Sequence, residues 1–125
     1  MKILIIEDNR HMRRMLSEML GSALEPHTVH EAADAHSALI LCRDLAPELV
    51  LMDVDLPDAN GMALTTTIKT LHPGARVVIL SSHRNQVYQD AARAVGATAY
   101  VFKDEIHARL LPLLAALLAD RPDHI

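Results

Sequence analysis

Residues 49–61 read LVLMDVDLPDANG and place an apolar run directly before a cluster of acids. The first four residues of this segment are all apolar, which is the pattern of a strand covered on both faces of a sheet. Asp53, Asp55 and Asp58 follow within six residues. The proline and glycine beside them indicate a turn, to which we assign Asp58. The segment therefore predicts a buried strand whose carboxyl end carries acidic side chains.

Alternating strand and helix patterns extend from this segment in both directions. Short apolar runs bounded by polar or turn residues predict strands, and apolar residues at helical spacing separate them. The predicted strands are residues 3–6, 27–31, 49–52, 77–80 and about 98–102. The predicted helices are one that Gly21 stops, one that ends before Pro47, residues 62–71, about 85–95, and one that begins near Asp104. Because each return to a parallel strand needs a crossover, five such units predict a parallel sheet with helices on both faces.

Composition and charge indicate a soluble globular domain. The 125 residues suit one domain, and 50% of them are hydrophobic. A net charge of −4 gives no electrostatic reason to expect nucleic-acid binding, so we assign Arg10, Arg13 and Arg14 to the solvent face of a helix. Cys42 is the single cysteine and is expected to pack in the core of a cytoplasmic protein. The N-terminal apolar run is too short for a signal peptide or a membrane span.

Five polar residues of potential chemical importance come directly after predicted strands. Glu7 and Asp8 follow the first strand, Asp53 the third, Ser81 the fourth and Lys103 the fifth. The carboxyl ends of parallel strands share one edge, where ligands bind in such sheets, so we expect these side chains to converge. Three carboxylates repel one another, and a hard divalent cation such as Mg²⁺ is the natural compensation. With the cation and Lys103 the site would be neutral and able to receive a phosphoryl group.

Together these residues resemble the response-regulator receiver domain of two-component signalling. The resemblance rests on the acidic pair Glu7-Asp8, the LMDVDLP segment around Asp53, the Ser81 hydroxyl and Lys103, in this order. It covers essentially the whole chain and implies an α/β, flavodoxin-like three-layer sandwich with five parallel strands in the order 2-1-3-4-5. It also implies a single receiver domain over residues 1–125, and we expect no output domain in this chain.

The resemblance implies a phosphorylation switch rather than an enzyme with a separate substrate. Asp53 would accept a phosphoryl group from the phosphohistidine of a sensor histidine kinase or phosphotransfer protein, with Mg²⁺ as cofactor, and lose it by autodephosphorylation. Asp8 and Asp53 would bind Mg²⁺ through their side chains, and Glu7 would act largely through water. The metal would also take the backbone carbonyl of Asp55.

A second set of residues would transmit the signal. The Ser81 hydroxyl and Lys103 would be drawn toward the phosphoryl group, whereas Ser82 would contribute only its backbone. Tyr100 matches the family's switch aromatic, and a half-buried strand tyrosine is the simpler alternative. The fourth helix, fifth strand and last helix would form the surface that controls a downstream protein target or an attached output domain. The same surface is a candidate for homodimer formation.

The histidines contain no recognisable metal-binding motif. His27 and His30 lie three apart on a predicted strand, so their side chains would point to opposite faces. His83 differs because it follows a site residue by two positions and so lies near the mouth of the predicted site. We consider His83 and Asp55 candidates for tuning the lifetime of the phosphorylated state through the approach of water.

Two other functions fit parts of the pattern. A haloacid-dehalogenase-type phosphatase also begins with DVD after a buried strand, and both Asp53 and Asp55 would then be catalytic. In those enzymes the acidic pair follows the nucleophile, whereas Glu7-Asp8 precedes it here, and the chain lacks room for a substrate cap. A phosphate-independent interaction module is the other alternative, and the intact Asp53 and Lys103 argue against it.

Three features depart from the family pattern. Lys103 is followed by Asp104 rather than proline, so we expect no cis peptide there and expect Asp104 to cap the last helix. Pro112 lies inside that helix and predicts a kink. The helix has more leucines than one buried face needs, which fits either deep packing or a dimer or target surface. A chain that ends at Ile125 fits either a stand-alone receiver or a fragment of a longer, possibly DNA-binding regulator.

Overall fold

The short apolar runs of the sequence form one parallel sheet in the computed structural model, which describes residues 1–23 and 28–119. The strand order is β2-β1-β3-β4-β5, as predicted for a flavodoxin-like fold. The strands are β1 (Lys2–Ile6), β2 (Thr28–Ala32), β3 (Leu49–Asp53), β4 (Arg76–Ser81) and β5 (Ala99–Phe102). The helices are α1 (Arg10–Ala23), α2 (Ala35–Leu45), α3 (Gly61–Leu71), α4 (Gln86–Ala94) and α5 (Ile106–Ala119), and a 3₁₀ turn (Lys103–Glu105) precedes α5.

Both faces of the sheet are buried, which explains why the strands are continuously apolar. Successive residues of β1 point to opposite faces, so Leu4 packs in one hydrophobic cluster and Ile5 in the other. The first cluster includes residues of α2 and α3, such as Cys42 and Ile68. The second includes Leu16 of α1 and residues of α5. Cys42 is fully buried, which confirms its predicted place in the core.

The structure corrects two of the predicted helix ends. Gly21 does not stop α1, which continues to Ala23. A glycine inside a helix costs only about 1 kcal/mol relative to alanine, and the buried face of α1, with Leu20 fully covered, outweighs that cost. Asp104 does not cap α5 as predicted. It lies within the 3₁₀ turn before α5, and its carboxylate accepts hydrogen bonds from Arg84.

Four further sequence predictions concern the second strand, the histidines on it, the bond after Lys103 and Pro112. The predicted second strand began at His27, which lies outside the described residues, and β2 covers Thr28–Ala32. The predicted opposite orientation of His27 and His30 therefore stays a prediction. No cis peptide bond occurs in residues 1–23 and 28–119, in agreement with the prediction for the bond after Lys103. Helix α5 is continuous through Pro112, and the predicted kink stays a prediction.

Gly61 closes the loop between β3 and α3 against the end of β3. Its amide donates a hydrogen bond of 2.7 Å to the carbonyl oxygen of Val54. A Cβ atom on Gly61 would lie 2.3 Å from the carbonyl oxygen of Asp53 and 2.8 Å from the Cα atom of Val54. Both atoms belong to the backbone, so the collision cannot be relieved by the movement of a flexible side chain.

We expect the substitution Gly61→Ala to lower the free energy of unfolding by about 1–3 kcal/mol, because the added methyl group collides with the backbone. Gly21→Ala is the matched control, because a Cβ atom there meets nothing within 4 Å. That variant should be more stable than the wild type by about 0.5–1 kcal/mol, since alanine favours the helix. Urea unfolding of the three proteins measures both effects, and equal stability of the two variants would contradict this account.

Candidate functional site

Four polar side chains of the predicted site lie at the carboxyl edge of the sheet. Glu7 directly follows β1, Asp53 is the last residue of β3, Ser81 ends β4, and Lys103 directly follows β5. The register of the parallel strands brings these ends level, since Asp53 pairs with Leu80 of β4. The four side chains therefore lie at one edge of the sheet, as expected.

Lys103 joins two buried carboxylates from different strands. Its Nζ atom lies 2.9 Å from Oε1 of Glu7 and 3.1 Å from Oδ1 of Asp53. Glu7 is only 1% exposed and Asp53 only 2%. Buried charges are costly unless they are paired, so the ammonium group compensates both acids at once. The other oxygen of Glu7, Oε2, accepts a hydrogen bond from the amide of Asn9.

The compensation of the two acids is incomplete, and the proton affinity of Asp53 reflects this. Burial, followed by the nearby charge of Glu7, raises the pKa of Asp53 to about 7, although Lys103 acts in the opposite direction. For Lys103, burial alone would lower the pKa of the ammonium group. Its contacts with Glu7 and Asp53 outweigh that effect, so the pKa of Lys103 is raised. The lysine therefore stays charged, but its single positive charge does not balance the two acids.

Asp8 completes a cluster of three acids that can hold a cation. Glu7, Asp8 and Asp53 each place one carboxylate oxygen within 4.8 Å of the others. Glu7 and Asp53 are buried, whereas Asp8 is exposed, so the cluster has one side open to solvent. Carboxylate oxygens with access for retained water are the donor set that Mg²⁺ prefers. The donors therefore fit the predicted ion.

The loop after β3 places backbone groups beside Asp53. The amide of Asp55 donates a hydrogen bond of 3.2 Å to Oδ1 of Asp53. Asp55 and Asn60 form an isolated antiparallel bridge, which closes the loop near its base. The side chain of Asp55 points to another partner, since its Oδ2 atom lies 2.9 Å from Nε2 of His83. The main chain and side chain of Asp55 therefore contact different parts of the site.

Ser81 and Tyr100 meet the loop between β4 and α4. The buried Ser81 hydroxyl oxygen accepts a hydrogen bond of 2.9 Å from the amide of His83, whereas Ser82 is exposed. The half-buried Tyr100 hydroxyl donates a hydrogen bond of 2.7 Å to the carbonyl oxygen of His83. The His83 ring also stacks on Tyr88, with ring centroids 3.9 Å apart. His83 thus connects four side chains of this region.

Two arginines have roles that the sequence analysis missed. Arg13 was assigned to the solvent face of α1 with Arg10 and Arg14. Its side chain is instead only 19% exposed, pairs with Glu31 at 3.1 Å, and donates to the carbonyl oxygen of Glu7 at 2.9 Å. The assignment of Arg13 to the solvent face was therefore wrong. Helical spacing does not reveal that a residue of a helix has a partner on a strand.

Arg84 joins the loop after β4 to the turn after β5. Its guanidinium group lies over the ring of Phe102, 4.3 Å from the centroid, and donates to both oxygens of Asp104. The acidic residue that replaces the family's proline is thus explained by a charged partner 20 residues earlier in the chain. The only signal in the sequence was the departure itself.

Comparison with known proteins identifies the family of this fold and site. Residues 3–115 match the family model of the response regulator receiver domain. The chain belongs to this receiver family. Receiver domains are regulatory parts of two-component systems, and the site described above occupies the carboxyl edge of the receiver sheet.

Individual relatives and structures agree with the family match. The DNA-binding transcriptional activator DevR/DosR of Mycobacterium tuberculosis is 32% identical over 103 residues, which is 82% of this chain and 48% of that protein. Protein CcdB of Bacillus subtilis is 29% identical over 117 residues, or 94% of this chain and 97% of that protein. A LuxR-family two-component response regulator from Aurantimonas sp. SI85-9A1 has a crystal structure that is 31% identical, with a TM-score of 0.84, covering 96% of this chain and 86% of that chain.

The receiver chain spans about half the length of many curated relatives that it matches, including 44% of the transcriptional regulatory protein DegU of Brevibacillus brevis. None of the helices in residues 1–23 and 28–119 combines the length and apolar character that a membrane crossing requires.

The raised pKa of Asp53 predicts that this carboxylate destabilises the native protein at neutral and alkaline pH. The unfolded carboxyl ionises near 3.8 and the native one near 7. The native state therefore holds an extra proton between these values, and the stability cost grows with pH in that window and is complete above it. We expect Asp53→Asn to raise the free energy of unfolding by roughly 1–3 kcal/mol at about pH 8 and by less at about pH 5.

Urea unfolding across this pH range, in a metal-free buffer, measures the difference between variant and wild type. Asp44→Asn is the matched control, because Asp44 is an exposed carboxylate of α2 and its replacement should change stability little. A gain for Asp53→Asn that is the same at every pH would show that ionisation of Asp53 is not its cause.

Proposed function

We propose that this receiver domain is a phosphoacceptor switch in which Asp53 takes a phosphoryl group from the phosphohistidine of a sensor histidine kinase or phosphotransfer protein. The observation that supports it is a buried carboxylate held at the sheet edge by Lys103, beside two further acids. The family match supports a receiver rather than a haloacid-dehalogenase-type phosphatase. The domain would then be regulatory, with no substrate other than the phosphoryl group.

Asp53 would be the nucleophile of the transfer. One of its carboxylate oxygens forms a bond to phosphorus while the bond between phosphorus and the histidine nitrogen of the partner breaks, and the imidazole leaves with the electron pair. Lys103 already contacts Oδ1 of Asp53 and would pair with a phosphoryl oxygen. The Ser81 hydroxyl, at the end of the neighbouring strand, would donate to another oxygen.

Mg²⁺ would be held by Asp8 and Asp53 through their side chains, by Glu7 largely through water, and by the backbone carbonyl of Asp55. When bound, the ion neutralises charge on the transferred phosphoryl group. The three carboxylates carry more negative charge than Lys103 can balance, which supports a requirement for a divalent cation. Asp8 is the exposed member of the set and would admit the ion from solvent.

The phosphoryl group would shift the domain between two conformations. Ser81 and Lys103 would move toward the new anion. Tyr100 would lose its hydrogen bond to the carbonyl oxygen of His83 in the loop after β4. A shift from about 1:99 to 99:1 requires roughly 5.5 kcal/mol of differential stabilisation. Several charge-assisted hydrogen bonds, each worth about 1.5–3 kcal/mol, are sufficient for this.

The output surface would be formed by α4, β5 and α5. Ala99, Tyr100, Arg109, Pro112 and Leu113 line a groove on this surface. Such a surface suits a downstream protein target, an attached output domain or a second copy of the receiver. The DNA-binding names of relatives favour an attached output domain. Nucleic acid would then be contacted by the output part and not by this domain.

Incubation with Mg²⁺ and a small acyl phosphate should add the mass of one phosphoryl group to the wild-type protein, because Asp53 is placed as the acceptor. Asp53→Ala should show no such addition, whereas Asp44→Ala, which removes an exposed carboxylate of α2, should be modified like the wild type. Intact-protein mass spectrometry gives the result. Equal modification of Asp53→Ala and wild type, or none in the wild type, would overturn the proposal.

The contact between His83 and Asp55 predicts an effect on the lifetime of the phosphorylated state. The pair joins the loop after β4 to the residue whose amide contacts Asp53, and it would restrict the approach of water to the acyl phosphate. We expect His83→Ala to lose its phosphoryl group several-fold faster than the wild type. His107→Ala, an exposed histidine of α5, should behave like the wild type. Timed loss of the added mass after removal of the phosphodonor is the measurement, and an unchanged rate for His83→Ala would refute the role.

A further inference from the structure

Asp58 connects the loop after β3 to the start of a different helix. Its Oδ1 atom accepts a hydrogen bond of 2.8 Å from the amide of Ala35, and its Oδ2 atom one of 3.0 Å from the amide of His36. These amides are among the first in α2, where helical N–H groups lack partners within the helix and carry partial positive charge. A carboxylate that accepts from both is a strong, charge-assisted anchor.

The connection made by Asp58 is not needed to begin α2. Asp34 already caps that helix in the ordinary way, since its side chain accepts a hydrogen bond of 2.7 Å from the amide of Ser37. Asp34 belongs to the connection between β2 and α2, however, and the hydrogen bond of its side chain stays within α2. The two acids thus cap the same helix, but only Asp58 fixes the β3–α3 loop to it.

The β3–α3 loop places Asp58 close in sequence to the reactive carboxylate of Asp53. Asp58 follows Asp55 by three residues, and the intervening Pro57 restricts the backbone between them. The amide of Asp55 contacts Oδ1 of Asp53 at 3.2 Å, and the same residue's carbonyl is the proposed backbone ligand of the metal. The far end of the loop is fixed separately, because Asn60 caps α3 by accepting from the amide of Met62.

We propose that Asp58 is a positioning residue for the metal and phosphoacceptor site. By holding the β3–α3 loop against α2, it keeps the backbone amide and carbonyl of Asp55 directed toward Asp53 and the bound cation. Asp58 touches neither the metal nor the phosphoryl group and acts through the main chain of Asp55. This role rests on the proposed function, since it requires that the acidic cluster bind Mg²⁺.

The test compares Mg²⁺ binding by unphosphorylated wild type, Asp58→Ala and Asp34→Ala, using isothermal titration calorimetry. Both variants lose a cap of α2, so both should have a lower melting temperature. We expect the dissociation constant for Mg²⁺ to rise on the order of tenfold in Asp58→Ala, the lower end of the range for groups that orient metal ligands. Asp34→Ala should bind Mg²⁺ like the wild type. Asp58→Asn, which keeps one oxygen acceptor, should give an intermediate constant.

The outcomes separate this inference from the proposed function. Wild-type affinity for Mg²⁺ in Asp58→Ala would overturn the positioning role alone. Equal weakening in Asp58→Ala and Asp34→Ala would also overturn it, because a general loss of helix stability would then explain the effect. If the wild type itself bound no Mg²⁺, the proposed metal site would fail and the positioning role with it. Should Asp58→Ala fail to fold, the comparison of Asp58→Asn with Asp34→Asn decides by the same criteria.

Discussion

The contacts of Lys103 with Glu7 and Asp53 are the interaction on which the site depends. Two carboxylates that are almost fully buried lie at the ends of neighbouring strands. One ammonium group lies 2.9 Å from the carboxylate of Glu7 and 3.1 Å from that of Asp53. Without Lys103 two buried negative charges would lack compensation, which is among the costliest arrangements in a folded protein. With it, one negative charge is still in excess, and Asp53 binds a proton more tightly than an ordinary carboxyl group. The site is therefore stable enough to fold and still favours further positive charge.

The sheet produces this arrangement from a simple property of the chain. Because both faces of the central strands are covered, their residues are apolar throughout, and the first polar residue after each run lies at the carboxyl edge. Glu7, Asp53, Ser81 and Lys103 all obey this rule. For this reason the strands and the members of the site could be predicted from periodicity and position, whereas the strand order was implied by the resemblance to the receiver family. The helix of Gly21 shows the limit of local rules, because packing of α1 outweighed the preference of one glycine.

Contacts between loops could not be predicted in the same way. Asp58 binds amides that lie 22 and 23 positions earlier in the chain, and Asp104 binds an arginine 20 positions earlier. Hydrophobic periodicity fixes the strands and helices, but it contains no information on how two connecting segments approach each other. Both acids had plausible local roles, a turn for Asp58 and a cap for Asp104, and such roles follow from residue type alone.

The loop between β4 and α4 is held by contacts of a strength that suits a switch. His83 is bound by Tyr100 and by Asp55, and Arg84 by Asp104. Exposed ion pairs contribute about 0–1 kcal/mol and ordinary hydrogen bonds about 0.5–1.5 kcal/mol, so these contacts together amount to a few kcal/mol. That is enough to define one resting position of the loop. It is also no more than the new charge-assisted contacts of a phosphorylated Asp53 would supply, since two such bonds contribute roughly 3–6 kcal/mol. If Asp53 is phosphorylated as proposed, the loop can exchange one set of contacts for the other without disturbing the buried sheet, where the hydrophobic clusters on both faces hold the strands in place.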